Sequence, residues 1–222
     1  MGRSVVLAGA ARCPRCSLPP RWCVCHALPP VETRLRVHVL IHRAEQHRPS
    51  STGKLVARTV AGAACHVYQR ATRFFPAAGF STAAVSPGRE LWILHPNGEP
   101  LPAGDQHHPD VLLLDGTWRQ AGEMVRDVEG IGRRVRLPEP TAEPSRFWLR
   151  EQLAPEHRST AEALMGVFRA VGDLKAERSL RLHFELHVYA TLLSRGRREM
   201  AERYLGHSPL LAAVPDVLHR LA

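Results

Sequence analysis

Apolar residues in this chain fall into short runs, each followed by a polar loop and then by a helical pattern. Leu35-Arg36-Val37-His38-Val39-Leu40-Ile41 is an apolar run bounded by polar residues and predicts a buried strand. The polar loop His42 to Thr52 follows, then Gly53 and a helix with Leu55, Val56, Thr59, Val60 and Ala63 on its apolar side; Cys65 extends that side and is expected in the core. The unit recurs. Leu91-Trp92-Ile93-Leu94 reads as a strand ending at His95-Pro96, and Val111-Leu112-Leu113-Leu114 as a strand ending at Asp115, with Gly116-Thr117 opening a helix towards Val128. Arg133-Val135-Leu137 alternates as a short strand, and a polar stretch spans Pro144 to Arg158. Ser159-Thr160-Ala161-Glu162 is a capping-box sequence before a helix with Ala163, Leu164, Val167 and Phe168 on one face. A last helix is expected over Leu180 to Tyr204, with arginines on its outer side.

Strands alternating with helices predict an α/β fold, a mostly parallel sheet with helices on both faces. Ligands then belong at the carboxyl ends of the strands, where His42 to Gly53, His95-Pro96 and Asp115 to Trp118 fall. Residues 1–30 lack a helical or strand period and read as a small N-terminal zinc-binding knob, leaving 31–222 as the main domain.

Composition narrows the partners. The 222 residues are 44% hydrophobic, enough for a core of their own, and 30 Lys+Arg against 21 Asp+Glu give a formal charge of +9, which favours a polyanion, nucleic acid before membrane surface. No run of about 18 apolar residues predicts a membrane span. The short apolar run near Val5 falls below the length of a secretory signal core, so the protein is expected to be cytoplasmic. Four of the five cysteines crowd into Cys13-Pro-Arg-Cys16 and Cys23-Val-Cys25. That spacing suits one tetrahedral zinc ion with no open position, hence a structural metal, and it suits a disulfide framework less well.

Two segments carry candidate chemistry. Asp115-Gly116-Thr117-Trp118 sets a carboxylate at the end of a buried strand, where it is either a functional group facing a ligand or, with Thr117, a helix cap. Glu45-Gln-His-Arg48-Pro49-Ser50-Ser51-Thr52-Gly53-Lys54 is either an anion-binding helix start or a solvated loop. It lacks Walker and G-x-G-x-x-G spacing, which argues against triphosphate and dinucleotide sites.

Taken in order, the paired cysteines, Glu45…Arg48-Pro49-Ser50-Ser51-Thr52-Gly53-Lys54-Leu55, Leu114-Asp115-Gly116-Thr117-Trp118, Leu149-Arg150-Glu151 and Ser159-Thr160-Ala161-Glu162-Ala163 resemble the DTW-domain family over nearly the whole chain. Ser51 stands where many members resemble an Asn. The resemblance implies a SPOUT-like knotted fold that binds S-adenosylmethionine among loops at the carboxyl ends of the sheet. It also implies transfer of the 3-amino-3-carboxypropyl group to a uridine in tRNA, with methylthioadenosine released. On that reading Asp115 is the base or the group orienting the arm, and Thr117 and Trp118 shape the catalytic pocket. Leu94, Pro96, Gly116, Leu149, Arg150, Ser159, Thr160 and Ala161 join them around the cofactor. Glu45, Arg48, Ser51, Thr52, Lys54, Arg195, Arg197 and Arg198 are the candidate tRNA contacts. Competing readings are an S-adenosylmethionine-dependent RNA methyltransferase, an rRNA aminocarboxypropyltransferase and a non-catalytic zinc-containing RNA-binding module. An aromatic content of 6% disfavours the last, because stacking-based RNA binders interleave aromatic with basic residues.

Overall fold

A computed structural model describes residues 11–70, 79–102, 108–138, 144–150 and 158–222. The opening run near Val5 and Glu151 lie outside the described residues. The elements in chain order are β1 (Arg36–His42), α1 (Thr52–Thr59), β2 (Ala64–Tyr68), β3 (Leu91–Pro100), β4 (Asp110–Asp115), α2 (Trp118–Asp127), β5 (Arg133–Arg136), α3 (Thr160–Ala170), α4 (Leu174–Ser194), α5 (Arg198–Leu205), α6 (Leu210–Ala213) and α7 (Pro215–Leu221). The strands form one sheet in the order β2-β1-β4-β3-β5, and every pairing is parallel.

Because side chains alternate across a strand, each central strand feeds two apolar layers. Val37, Val39, Ile41, Val111, Leu113, Trp92 and Val135 pack with Leu55 and Val56 of α1, Leu164 and Phe168 of α3, and Phe184 and Val188 of α4. Leu40, Leu112, Leu91 and Ile93 pack with Met124 and Val125 of α2 on the other face. The cysteine segment is not detached from this core: Cys16, Leu18 and Val24 are buried in the same cluster as β1 and α4.

Three expectations change. Cys65 lies on the edge strand β2 and is exposed, not in the core of a helix. The preceding helix ends at Thr59, and Gly62 turns the chain with φ 69°, a conformation open to glycine, so β2 begins within three residues. The single helix expected over Leu180 to Tyr204 is two helices, α4 and α5, separated at Gly196 with φ 70°. Strand β3 runs on past His95-Pro96 after a register shift between Leu94 and Glu99 against β5. Gly98 permits this: a Cβ there would meet the Val135 backbone at 2.5 Å. Among the described residues, no helix is long and apolar enough to cross a membrane.

Candidate functional site

β1 and β4 are neighbours with Ile41 opposite Asp115, yet the chain leaves them in opposite directions, from β1 through α1 to β2 and from β4 through α2 to β5. Since α1 and α2 also cover different faces, a crevice opens at these two carboxyl ends, the usual ligand position in an open parallel sheet. Three capped helix N-termini converge on it. Ser51 caps α1 by accepting from the Lys54 amide at 3.1 Å. Thr117 caps α2 in a capping box with Gln120, and Ser159 caps α3 in a capping box with Glu162. For Thr117 and Ser159, therefore, the capping reading holds.

Asp115 does not cap α2, the helix that follows it; it ties these elements together. Its Oδ2 accepts from Ser51 Oγ at 2.7 Å, and its Oδ1 accepts from the Gly53 amide at 3.1 Å and from Thr160 Oγ1 at 2.6 Å. Charge-assisted bonds of this kind contribute about 1.5–3 kcal/mol each. The carboxylate is buried, and most of its lone pairs face protein donors. Gly53 is needed for this approach, because a Cβ there would lie 2.5 Å from Asp115 Cγ.

Beside this hub is a cavity of about 820 Å³, within the size range of small-molecule sites. Of the cofactor candidates, Leu94, Pro96, Gly116, Trp118 and Thr160 line it. Asp115, Thr117, Ser159 and Ala161 are not among its lining residues, while Leu149 and Arg150 belong to a neighbouring clamp. Trp118 is 47% exposed, so it is no core anchor and presents its indole at the cavity. His95, also in the wall, has its pKa lowered by burial and by Arg134, and its Nδ1 accepts from the Asn97 amide.

In the clamp, Arg150 donates to Glu45 Oε2 at 2.7 Å and to Ser50 Oγ at 3.2 Å, while Arg195 donates to the Leu149 carbonyl at 2.9 Å. Glu45, Ser51 and Thr52 are buried, so their side chains brace the site from within; they do not face a polyanion as the sequence reading expected. Arg48 keeps an ion pair with Glu45 yet is half exposed, Lys54 reaches towards Ser17, and Arg197 and Arg198 are exposed, Arg198 donating to the Ala222 carbonyl.

The sequence reading missed Arg146 and Glu185. Arg146 grips the buried Glu185 carboxylate through Nε and Nη2 at 3.0 and 2.8 Å, and its guanidinium lies 3.9 Å from the Tyr204 ring centroid. Both residues line the cavity. The available signal was the lone carboxylate between Phe184 and Leu186 in the run from Leu182 to Leu193, which needs a cationic partner when buried.

The four clustered cysteines meet in space, their Sγ atoms all within 4.8 Å of one another. The Cys13–Cys25 and Cys16–Cys23 sulfurs are each 3.8 Å apart. A tetrahedral ion with bonds of about 2.3 Å sets its sulfurs about 3.8 Å apart, whereas a disulfide needs about 2.05 Å. The donor set therefore fits a closed metal site. The Cys25 thiol as donor holds Cys16 down at about 5 against its burial, with the Leu18 backbone and Arg58 also favouring the thiolate. The site rests on α1: Arg15 donates to the Arg58 carbonyl at 3.2 Å.

tRNA-uridine aminocarboxypropyltransferase 2 of Mus musculus is 28% identical over 120 residues, which is 50% of this chain and 40% of that protein. The chain thus matches well under two thirds of that relative's length. No solved structure matches the chain. The DTW domain matches residues 10–192, from just before the first cysteine through the Asp115 hub and the capped α3 to near the end of α4, and the chain belongs to the DTW-domain family.

Proposed function

We propose that this protein transfers the 3-amino-3-carboxypropyl group of S-adenosylmethionine to N3 of a uridine in tRNA, releasing methylthioadenosine. The observation that carries the reading is the cavity beside the carboxyl end of β4 and the Leu94–Pro96 stretch within β3, walled by Leu94, Pro96, Gly116, Trp118 and Thr160. Family membership, the activity for which the mouse relative is named and the net charge of +9 support the same reading. The SPOUT-type knotted arrangement, the split into a metal-binding segment at 1–30 and a catalytic domain at 31–222, and a cytoplasmic location belong to this proposal.

Uridine N3 gives up its proton to water and attacks the γ-carbon of the amino acid arm, while the electron pair of the breaking carbon–sulfur bond leaves on the sulfur of methylthioadenosine, so the enzyme's task is to align the nucleophile, the carbon and the departing sulfur. Leu94 and Pro96 form an apolar wall for the adenosine, and Trp118 offers its exposed indole to a planar ring. The start of α3, with the Thr160 hydroxyl, orients the arm. Asp115 takes the orienting one of its two candidate roles. With both oxygens bonded to Ser51, Gly53 and Thr160 it is a positioning residue that fixes Thr160. Arg48, Lys54, Arg197 and Arg198 are the tRNA phosphate contacts, with Arg195 shared between phosphate and the Leu149 carbonyl. Zn2+ on Cys13, Cys16, Cys23 and Cys25 supplies structural cross-linking when bound.

The test incubates the purified protein with unmodified tRNA and S-adenosylmethionine, then identifies the small-molecule product and the digested nucleosides by mass spectrometry. Methylthioadenosine together with a uridine heavier by one aminocarboxypropyl group is expected. S-adenosylhomocysteine would replace the reading with methyl transfer, product on rRNA alone would move the substrate, and binding without turnover would leave an RNA-binding module.

A further inference from the structure

Two contacts fix how α3 crosses the sheet. At its start, Thr160 Oγ1 donates to Asp115 Oδ1 at 2.6 Å, at the carboxyl end of β4. Six residues on, Gly166 lies against Leu137, the residue after β5: a Cβ on Gly166 would meet Leu137 Cδ1 at 2.8 Å. The strand order places β3 between β4 and β5, so the contacts are two strand spacings apart, about 9.5 Å, against about 9 Å of helix from Thr160 to Gly166. The two lengths agree. Thus α3 runs from β4 across to β5, and Arg169, one turn beyond Gly166, stands at the β5 edge of the sheet.

The cavity follows the helix. Thr160, Ala163, Gly166 and Arg169 of α3 all line it, joined by Arg136 at the end of β5 and Arg181 of α4. The residues assigned to the cofactor come from β3, β4 and the starts of α2 and α3, which leaves the β5 end without a role. What gathers there is positive charge. Glu177 Oε1 accepts from Arg181 Nη2 at 2.8 Å and from Arg169 Nε at 3.3 Å, so one buried carboxylate serves two guanidiniums. Arg169 is held by Nε alone; its Nη groups donate to nothing among the described residues, and its side chain is 40% exposed. Arg136 is exposed, and its side chain makes no hydrogen bond or ion pair among the described residues. Oriented N–H donors with surplus charge suit a phosphate, which the guanidinium fork matches in shape as well as sign.

We propose that Arg136, Arg169 and Arg181 form a phosphate-binding rim at the β5 edge, through which the nucleotide carrying the target uridine enters the cavity. N3 lies on the pairing edge of the base, so that nucleotide has to leave its stack or come from an unpaired loop, and its backbone phosphates stay at the mouth. The inference rests on tRNA as the substrate and is independent of which group is transferred.

The experiment measures binding of unmodified tRNA to the full-length protein across a range of salt concentrations. Each phosphate contact removed lowers the slope of log affinity against log salt by about 0.7–0.9. Arg136→Gln and Arg169→Gln are each expected to show that loss, with affinity for S-adenosylmethionine, measured by calorimetry, unchanged. Arg220→Gln removes the same charge from α7, outside the cavity wall, and should keep the wild-type slope. Arg136→Gln breaks no side-chain bond among the described residues, so its result does not reflect misfolding. Rim variants with the wild-type slope, or with the slope of Arg220→Gln, would overturn the proposal. Weakened affinity for S-adenosylmethionine with unaltered tRNA binding would also overturn it, since the rim would then hold the carboxylate of the amino acid arm. A wild type that binds no tRNA would overturn the substrate reading beneath it. The expected slopes without any transfer would support the rim and remove only the proposed reaction.

Discussion

Replacing Gly53 with alanine sets helix propensity against tertiary contact, and the two predict opposite signs. Gly53 lies in the first turn of α1, where exchanging glycine for alanine ordinarily stabilises a helix by about 1 kcal/mol. Here the new Cβ would sit 2.5 Å from Asp115 Cγ, 2.6 Å from its Cβ and 2.8 Å from Oδ2. The carboxylate cannot yield freely, because Ser51, Gly53 and Thr160 hold it from two helices. Overpacking costs about 1–3 kcal/mol, and losing even one charge-assisted bond adds about 1.5–3 kcal/mol. Set against the helical gain, the net is a destabilisation of roughly 1.5–5 kcal/mol. For a chain of this length that lowers Tm by about 3–20 °C. Urea and thermal unfolding of wild type and Gly53→Ala, followed by circular dichroism, measure it. A variant as stable as wild type or more so would refute the close contact between α1 and Asp115, and with it the hub.

Other consequences concern the hub, the cavity and the buried histidines. Asp115→Asn should keep the fold and bound zinc, since the hydroxyls of Ser51 and Thr160 can reorient, yet lose most transfer; full activity in this variant would reject the positioning role. Trp118→Ala should change stability by no more than about 1 kcal/mol, because the indole is 47% exposed, while kcat/KM for tRNA falls about 5- to 150-fold, the equivalent of a stacking contact of about 1–3 kcal/mol. Unchanged kcat/KM would remove Trp118 from the site. Burial lowers the pKa of His38 and of His187 below the ordinary 6.5. The unfolded chain therefore binds protons that the folded one refuses. The stability so contributed is present above about pH 6.5 and lost as pH falls below it, each group approaching about 1.4 kcal/mol per pH unit. Urea midpoints that stay flat or rise between about pH 7 and 5.5 would contradict neutral burial of these rings.

Much of the fold is written locally. The runs around Val39, Ile93 and Leu113 announce buried parallel strands because both faces of each strand must be apolar, and the Ser159–Glu162 box marks a helix start through its own backbone bonds. The spacing of the four cysteines predicts that they could share a metal ion, and the structure brings their sulfurs together. Cys65 failed because the apolar run after Thr59 suits an edge strand as well as a helix, and periodicity over so few residues cannot separate them. The long terminal helix failed because one glycine, Gly196, is tolerated within a helical pattern as readily as it ends one.

The candidate site is divided in the same way. Sequence by itself determined which residue types gather at the carboxyl ends of β1 and β4 and beside Leu94–Pro96 of β3, since those positions follow from strand order along the chain and from the motifs that close each apolar run. Only the tertiary structure decided what each side chain does there. Glu45, Ser51 and Thr52 look like solvent-facing loop residues and turn inward, while the large indole of Trp118 turns outward. Asp115 meets Thr160 across 45 positions, Arg146 meets Glu185 across 39 and Arg58 meets His187 across 129. Such pairings depend on how helices are layered over the sheet, and a buried charge chooses its partner by proximity in space, which no local pattern records.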